Sequence, residues 1–193
     1  MTGRLVVLAS GNGTNLQAVL DACAENEIAA DVVAVVSNVE DARALERART
    51  AGVDAVALTR HAGEDRRDYD TRLAETVTRY APDFVVLAGW MLLLSSNFLD
   101  HVGCPVVNLH PALPGELPGI NSIERAHAEA VAGIRKRSGV MVHFVPDEGV
   151  DDGPVINTVE VPVSPSDALE DFASRMHAAE HALLIRSLKQ LCA

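Results

Sequence analysis

The stretch Leu5-Val6-Val7-Leu8-Ala9-Ser10-Gly11-Asn12-Gly13-Thr14-Asn15-Leu16-Gln17 decides the fold. Its short, continuous apolar run reads as a strand buried on both faces, and two glycines then turn the chain into a helical pattern. Strand, glycine loop and helix start form the opening unit of a parallel α/β sheet. Outward from there, candidate strands at Val32–Ser37, Ala55–Leu58, Phe84–Ala88 and Val106–Leu109 alternate with helical patterns. The helices are expected near Leu16–Ala24, Ala42–Ala51, Tyr69–Tyr80 and Ile123–Ala132. This order predicts an α/β fold with a doubly wound, mostly parallel sheet and a Rossmann-type N-terminal half. Val140–Val145 and Val155–Val163 alternate in polarity, with His143 in one and Glu160 in the other, so both are expected as partly exposed antiparallel additions. Leu169, Phe172, Met176, Ala179 and Leu183 recur at three- and four-residue steps, which predicts a long amphipathic helix near the C-terminus.

The chain has 193 residues, 48% of them hydrophobic and 22% charged, and a single domain spanning 1–193 is expected. Its formal net charge of -11 argues against a nucleic-acid partner, which would need a basic face. It argues equally against an anionic membrane surface. The longest apolar run, Phe84–Leu94, is too short to cross a bilayer. Met1–Arg4 lead into the first strand without the features of a secretory leader. Cys23, Cys104 and Cys192 are odd in number and widely spaced, as reduced thiols of a cytoplasmic protein would be. No sequence feature decides between a monomer and a homodimer.

Gly11 and Gly13 let the backbone of Ser10–Asn15 turn tightly ahead of a helix N-terminus, whose free N–H groups and partial positive charge suit a phosphate. The same residues also fit a plain tight turn, with Thr14 and Gln17 as a capping box. The loop is not a dinucleotide fingerprint, because Leu16 stands where a third glycine belongs and Ser37-Asn38 where a ribose-binding acid belongs.

Asn108 and His110, two apart at a strand's C-terminal end, project from one face, where open α/β sheets bind ligands. They fit either a reactive pair or a buried hydrogen-bonded one. Gly149-Val150-Asp151-Asp152-Gly153-Pro154 is an acidic loop whose plain reading is a solvated turn. His177-Ala178-Ala179-Glu180-His181 matches an inverted zinc-protease pattern, but only twelve residues follow His181 and no third ligand is evident, so no metal is expected.

Taken together, these residues resemble the phosphoribosylglycinamide formyltransferase family. The matching stretches are SGNGTNLQAVLDA (10–22), SNVEDARALERARTAGV (37–53), APDFVVLAGWMLLLSSNF (81–98), VVNLHPALPGELPG (106–119), VMVHFV (140–145), VDDGPVI (150–156) and AEHALL (179–184). They run in order through nearly the whole chain. The resemblance implies formyl transfer from 10-formyltetrahydrofolate, as co-substrate, to glycinamide ribonucleotide in purine biosynthesis. It implies catalytic roles for Asn108, His110 and Asp151. Gly13, Thr14 and Asn15 would hold the phosphate, Gly11 and Asn12 would shape the loop, and Glu180 would face the substrate. Met91, Leu92, Leu93 and Leu94, with Asn108, would line the folate site, and Arg66 would meet the folate's carboxylate tail. Residues 1–100 would then form the nucleotide-binding half and 101–193 the catalytic and folate-binding half. The chain departs from many relatives at Leu92, where they carry arginine, at Ala112-Leu113-Pro114-Gly115, and at Asn121-Ser122. An amino sugar nucleotide formyltransferase and a non-catalytic phosphate-binding module are alternative readings of the same residues.

Overall fold

The computed structural model describes residues 2–193. In β1 (Gly3–Leu8) and just beyond it, every side chain from Leu5 to Ala9 is fully buried. Alternate residues feed two cores. Leu5 and Val7 join one with α1 (Thr14–Ala24) and α6 (Leu169–Leu191), whereas Val6 and Leu8 join another with α3 (Arg66–Thr78) and α4 (Ser96–Val102). A strand covered on both sides has no face left for water, so its apolar run does not alternate.

The remaining strands are β2 (Ala30–Ser37), β3 (Asp54–Ala57), β4 (Phe84–Leu87), β5 (Val106–His110), β6 (Arg137–Phe144) and β7 (Val155–Pro162). With α2 (Arg43–Thr50) and α5 (Ser122–Val131), they build one seven-stranded sheet in the order β3-β2-β1-β4-β5-β6-β7. Pairings are parallel from β3 through β5 and antiparallel for β5–β6 and β6–β7. The chain reverses direction across the sheet between β1 and β4, which opens a crevice beyond their C-terminal ends.

The expected element types hold, and three details differ. β6 is antiparallel but not partly exposed, since Ser138 to His143 are all buried. Strands flank it on both sides and α6 lies against it, so its polar His143 is enclosed. β7, at the sheet edge, keeps the expected alternation. α4 had no sequence signal, because seven residues are too few to display a helical period; it buries Phe98 and Val102. α3 begins at Arg66 rather than near Tyr69, since the Asp65 side chain caps it by accepting from the Arg67 N–H at 2.8 Å. The three cysteines are free and half-buried.

Candidate active site

A cavity of about 400 Å³ opens beyond the C-terminal ends of β1 and β4 and against one face of β5. The helices α3 and α4 that cover this side of the sheet pack on β1 and β4, whereas Asn108, His110 and His143 project from β5 and β6 into the cavity wall.

At one end stands the glycine loop. Gly13 caps α1 in the left-handed conformation at φ 73°, and no side chain caps that helix. The expected capping box therefore does not form: Gln17 is drawn away to Asp21 and Arg47. A Cβ at position 13 would come within 2.9 Å of Ala44, so packing against α2 as well as conformation requires glycine there. Arg47 clasps the loop from behind, donating to the Asn12 carbonyl at 2.8 Å and to its side-chain oxygen at 3.1 Å. Thr14 and Asn15 line the cavity, and the Asn15 side-chain oxygen is buried without a partner. An uncapped helix start beside an open cavity is an anion-binding arrangement.

At the centre, Asn108, His110 and Asp151 meet. The Asn108 side-chain amide donates to Asp151 Oδ1 at 3.0 Å, and His110 Nδ1 lies 3.3 Å from Asp151 Oδ2. The Gly119 N–H donates to Asp151 Oδ2 at 2.8 Å. His143, directly opposite Asn108 in the β5–β6 register, completes the group. Its Nδ1 lies 2.8 Å from the Phe144 carbonyl, and its Nε2 lies 3.1 Å from the Asn108 amide nitrogen and 3.7 Å from Asp151 Oδ1. Burial pushes the Asp151 carboxyl upward, but the His143 ring, the Gly119 N–H and His110 outweigh it and hold it below the ordinary range.

His110 is pulled both ways. Burial lowers its pKa, while Asp151 and the Leu117 carbonyl, which accepts from Nε2 at 3.1 Å, favour the charged ring. The net direction is down. Burial thus favours the uncharged ring in the ligand-free protein, against the pull of its two acceptors. Backbone strain gathers around the same group: Leu117 (φ 47°), Asn121 (φ 57°) and Asp151 (φ 55°) are all left-handed. Behind Asp151, a Cβ on Gly153 would overlap the Phe144 carbonyl oxygen, so this glycine lets the loop close on β6.

At the other end, Met91, Leu92, Leu93 and Leu94 line the cavity, with the exposed side chains of Met91, Leu93, Ile120 and Val150 adding apolar wall. The Met91 N–H donates to Ser10 Oγ at 2.9 Å, which ties this wall to the glycine loop. Arg66 does not line the cavity. It stands behind Glu148, with Nη2 at 3.7 Å from Glu148 Oε2 and Nε at 3.6 Å from Asp70 Oδ2. The Ser96 N–H donates to Glu148 Oε1 at 2.8 Å; this bond is the main reason that the Glu148 carboxyl titrates low.

Glu180, 5% exposed, faces the cavity from α6 and binds His177 Nδ1 at 2.6 Å. That bond raises the His177 pKa. His177 and Glu180 of the zinc-like pattern are thus engaged with each other, whereas His181 Nε2 is buried without a partner.

The structure therefore brings Thr14, Asn15, Met91–Leu94, Asn108, His110, Asp151 and Glu180 to one cavity, with Gly11, Asn12 and Gly13 forming the loop at its edge and Arg66 behind its wall. Sequence reasoning missed His143, Arg47 and Glu148. Only the β5–β6 register reveals His143, and no pattern in the chain announces a register.

The sequence profile of the formyl transferase family matches residues 3–188. The phosphoribosylglycinamide formyltransferase of Escherichia coli (strain K12) is 44% identical over 93% of this chain and 82% of its own length. That of Dictyostelium discoideum is 41% identical over 99% of this chain and 98% of its own. The chain belongs to the phosphoribosylglycinamide formyltransferase family.

Solved structures agree with this family assignment. Glycinamide ribonucleotide transformylase 1 from Symbiobacterium toebii superposes with a TM-score of 0.91 at 39% identity, covering 99% of this chain and 88% of that one. Its namesake from Geobacillus kaustophilus gives 0.91 at 34% identity over the full length of both. Leu92 sits in the cavity wall, and Asn121-Ser122 open α5 at its edge.

Proposed function

We propose that this cavity transfers a formyl group from 10-formyltetrahydrofolate to the primary amine of glycinamide ribonucleotide, a step of de novo purine biosynthesis. One observation carries the reading. Asn108, His110 and Asp151, up to 43 residues apart, converge in a cavity with an uncapped helix start at one end and an apolar wall at the other. The phosphate fits the N–H groups of Gly13, Thr14 and Asn15 on the loop shaped by Gly11 and Asn12. Glu180 faces the ribonucleotide, and the pterin fits against Met91–Leu94. Residues 1–100 thus supply the phosphate loop and most of the apolar wall, and 101–193 the reacting groups.

In the reaction the amine nitrogen bonds to the formyl carbon, the carbonyl electron pair moves to oxygen, and a zwitterionic tetrahedral adduct forms. The Asn108 amide donates to that oxygen by giving up one of its two existing bonds, to Asp151 or to His143. Such donors are worth about 3 kcal/mol to the transition state. The neutral His110 ring takes the proton that the new ammonium sheds, and Asp151 stabilises the imidazolium so formed. The same proton passes to the departing folate nitrogen as the carbon–nitrogen bond breaks. No covalent enzyme intermediate is needed, because the amine is already a nucleophile.

A cytoplasmic location suits the three free thiols. None of the described helices is long and apolar enough to cross a membrane.

The test is a spectrophotometric assay with glycinamide ribonucleotide and a 10-formyl folate analogue. His110→Ala should lower turnover by about 100- to 10,000-fold with thermal unfolding unchanged. Undiminished turnover in this variant would remove His110 from the mechanism, and an inactive wild type would remove the reaction itself.

A further inference from the structure

The lining of the cavity is acidic. Glu124, Asp147, Glu148, Asp151 and Glu180 face it, against the rings of His110, His143 and His177, and no lysine or arginine among the described residues lines it. A ligand that carries a carboxylate into this space needs a fixed cation. Arg66 stands one contact behind the wall, and its state is unusual: Nε and Nη2 are buried yet donate no hydrogen bond. The carboxylates beside them, Asp70 and Glu148, lie at 3.6 and 3.7 Å, close enough for charge attraction and too far for a hydrogen bond. Buried donors without acceptors are an unmet demand for an anion.

The two carboxylates differ in what they could release. Asp70 is 1% exposed and accepts from the Ser95 N–H at 2.7 Å, so it is a fixed part of the wall. Glu148 belongs to the loop that carries Asp151, its side chain is 43% exposed, and its firm bond is to the Ser96 N–H, not to Arg66. Arg66 can therefore leave Glu148 without breaking a hydrogen bond.

We propose that Glu148 sets selectivity for the co-substrate's charged tail: it is an internal carboxylate that occupies Arg66 in the free protein and yields it to the terminal carboxylate of the folate. The proposal rests on the folate reading above. Binding exchanges one ion pair for another, so the gain from the tail is only the difference between them, and the negative charge of Glu148 also repels the incoming group. Glu148 touches neither reacting atom and acts through Arg66 as a positioning residue.

The experiment is titration calorimetry of the full chain with two probes, folic acid and pteroic acid amide, which keeps the ring system and lacks both carboxylates. Glu148→Gln retains the oxygen that accepts from Ser96 and removes only the charge. It should bind folic acid about threefold or more tightly than wild type, a size in keeping with half-exposed ion pairs. Affinity for pteroic acid amide should not change, and Arg66→Gln added to Glu148→Gln should erase the gain. Equal folic acid affinities in wild type and Glu148→Gln would overturn the proposal and leave the co-substrate reading intact. A parallel gain for both probes, or a gain that survives the loss of Arg66, would do the same. A wild type that binds neither probe would overturn the co-substrate reading and this proposal with it.

Discussion

The glycine loop, residues 10–15, and the acidic loop, residues 146–154, border the same cavity and are built in opposite ways. The first is held from behind, by Ala44 and Arg47 of α2, so its working backbone donors stay free. The second is held from the front: Asp151 accepts from Gly119 and Asn108, and Glu148 from Ser96. The glycine loop thus carries its chemistry in its own backbone and needs only a brace. The acidic loop has no function by itself, since Glu148 and Asp151 acquire their roles from partners at least 30 residues away in sequence.

Substitution should separate the two loops by the kinetic constant it changes. The largest effect is expected at Asp151. Asp151→Asn keeps the size and the oxygen that accepts from the Asn108 amide while removing the charge that stabilises the imidazolium, so kcat should fall by about 100-fold or more with little change in KM. Near-normal turnover would show that the acidic loop is not catalytic. The same pair of proteins offers a second readout. The folded Asp151 carboxyl titrates below its unfolded value, so the stability it adds is present at neutral pH and is lost as pH falls through the folded pKa, below about 4. Urea unfolding of wild type and Asp151→Asn should therefore converge in acid.

Gly13→Ala should act on binding instead. Overlap with Ala44 and a left-handed alanine introduce strain of about 1–3 kcal/mol, seen as a Tm lower by several degrees. KM for the ribonucleotide should rise about tenfold while kcat changes far less, because the phosphate proposed for this loop is remote from the reacting atoms. A purely kcat effect would erase the contrast between the loops.

The smallest effect belongs to His177. Its bond to Glu180 raises the folded pKa, so the stability it adds is complete below about 6.5 and is lost as pH rises through the folded value. The stability difference between wild type and His177→Gln, followed by urea unfolding, should shrink from mildly acid to mildly alkaline pH. A difference that grows with pH would mean that the ring is held neutral.

Legibility followed the range of the interaction. The apolar runs of β1, β2 and β4 announced strands buried on both faces, and the glycine loop announced itself because its residues are adjacent. α4 is too short to show a period, and the alternation of β6 reads as a wet face although the strand is buried. The polar side chain in that alternation is His143, buried against Asn108. Asn108 and His110 could be placed on one face from their spacing alone, but nothing local linked them to Asp151, which reads as a solvated turn until the resemblance to a family is invoked. Glu148 and its hold on Arg66 had no signal of any kind, since a surface glutamate in an acidic loop looks like every other one.

The sequence by itself determined the layered α/β fold, the place of the glycine loop and, through residue-by-residue resemblance, the family. Those properties depend on hydrophobic period and on neighbours along the chain, which any reading of the string contains. Tertiary structure alone decided that His143 stands behind Asn108, that burial lowers the His110 pKa, and that Glu148 stands between Arg66 and the cavity. Each of these depends on register, desolvation or loop closure. Such quantities come into existence only when segments distant in sequence exclude water together.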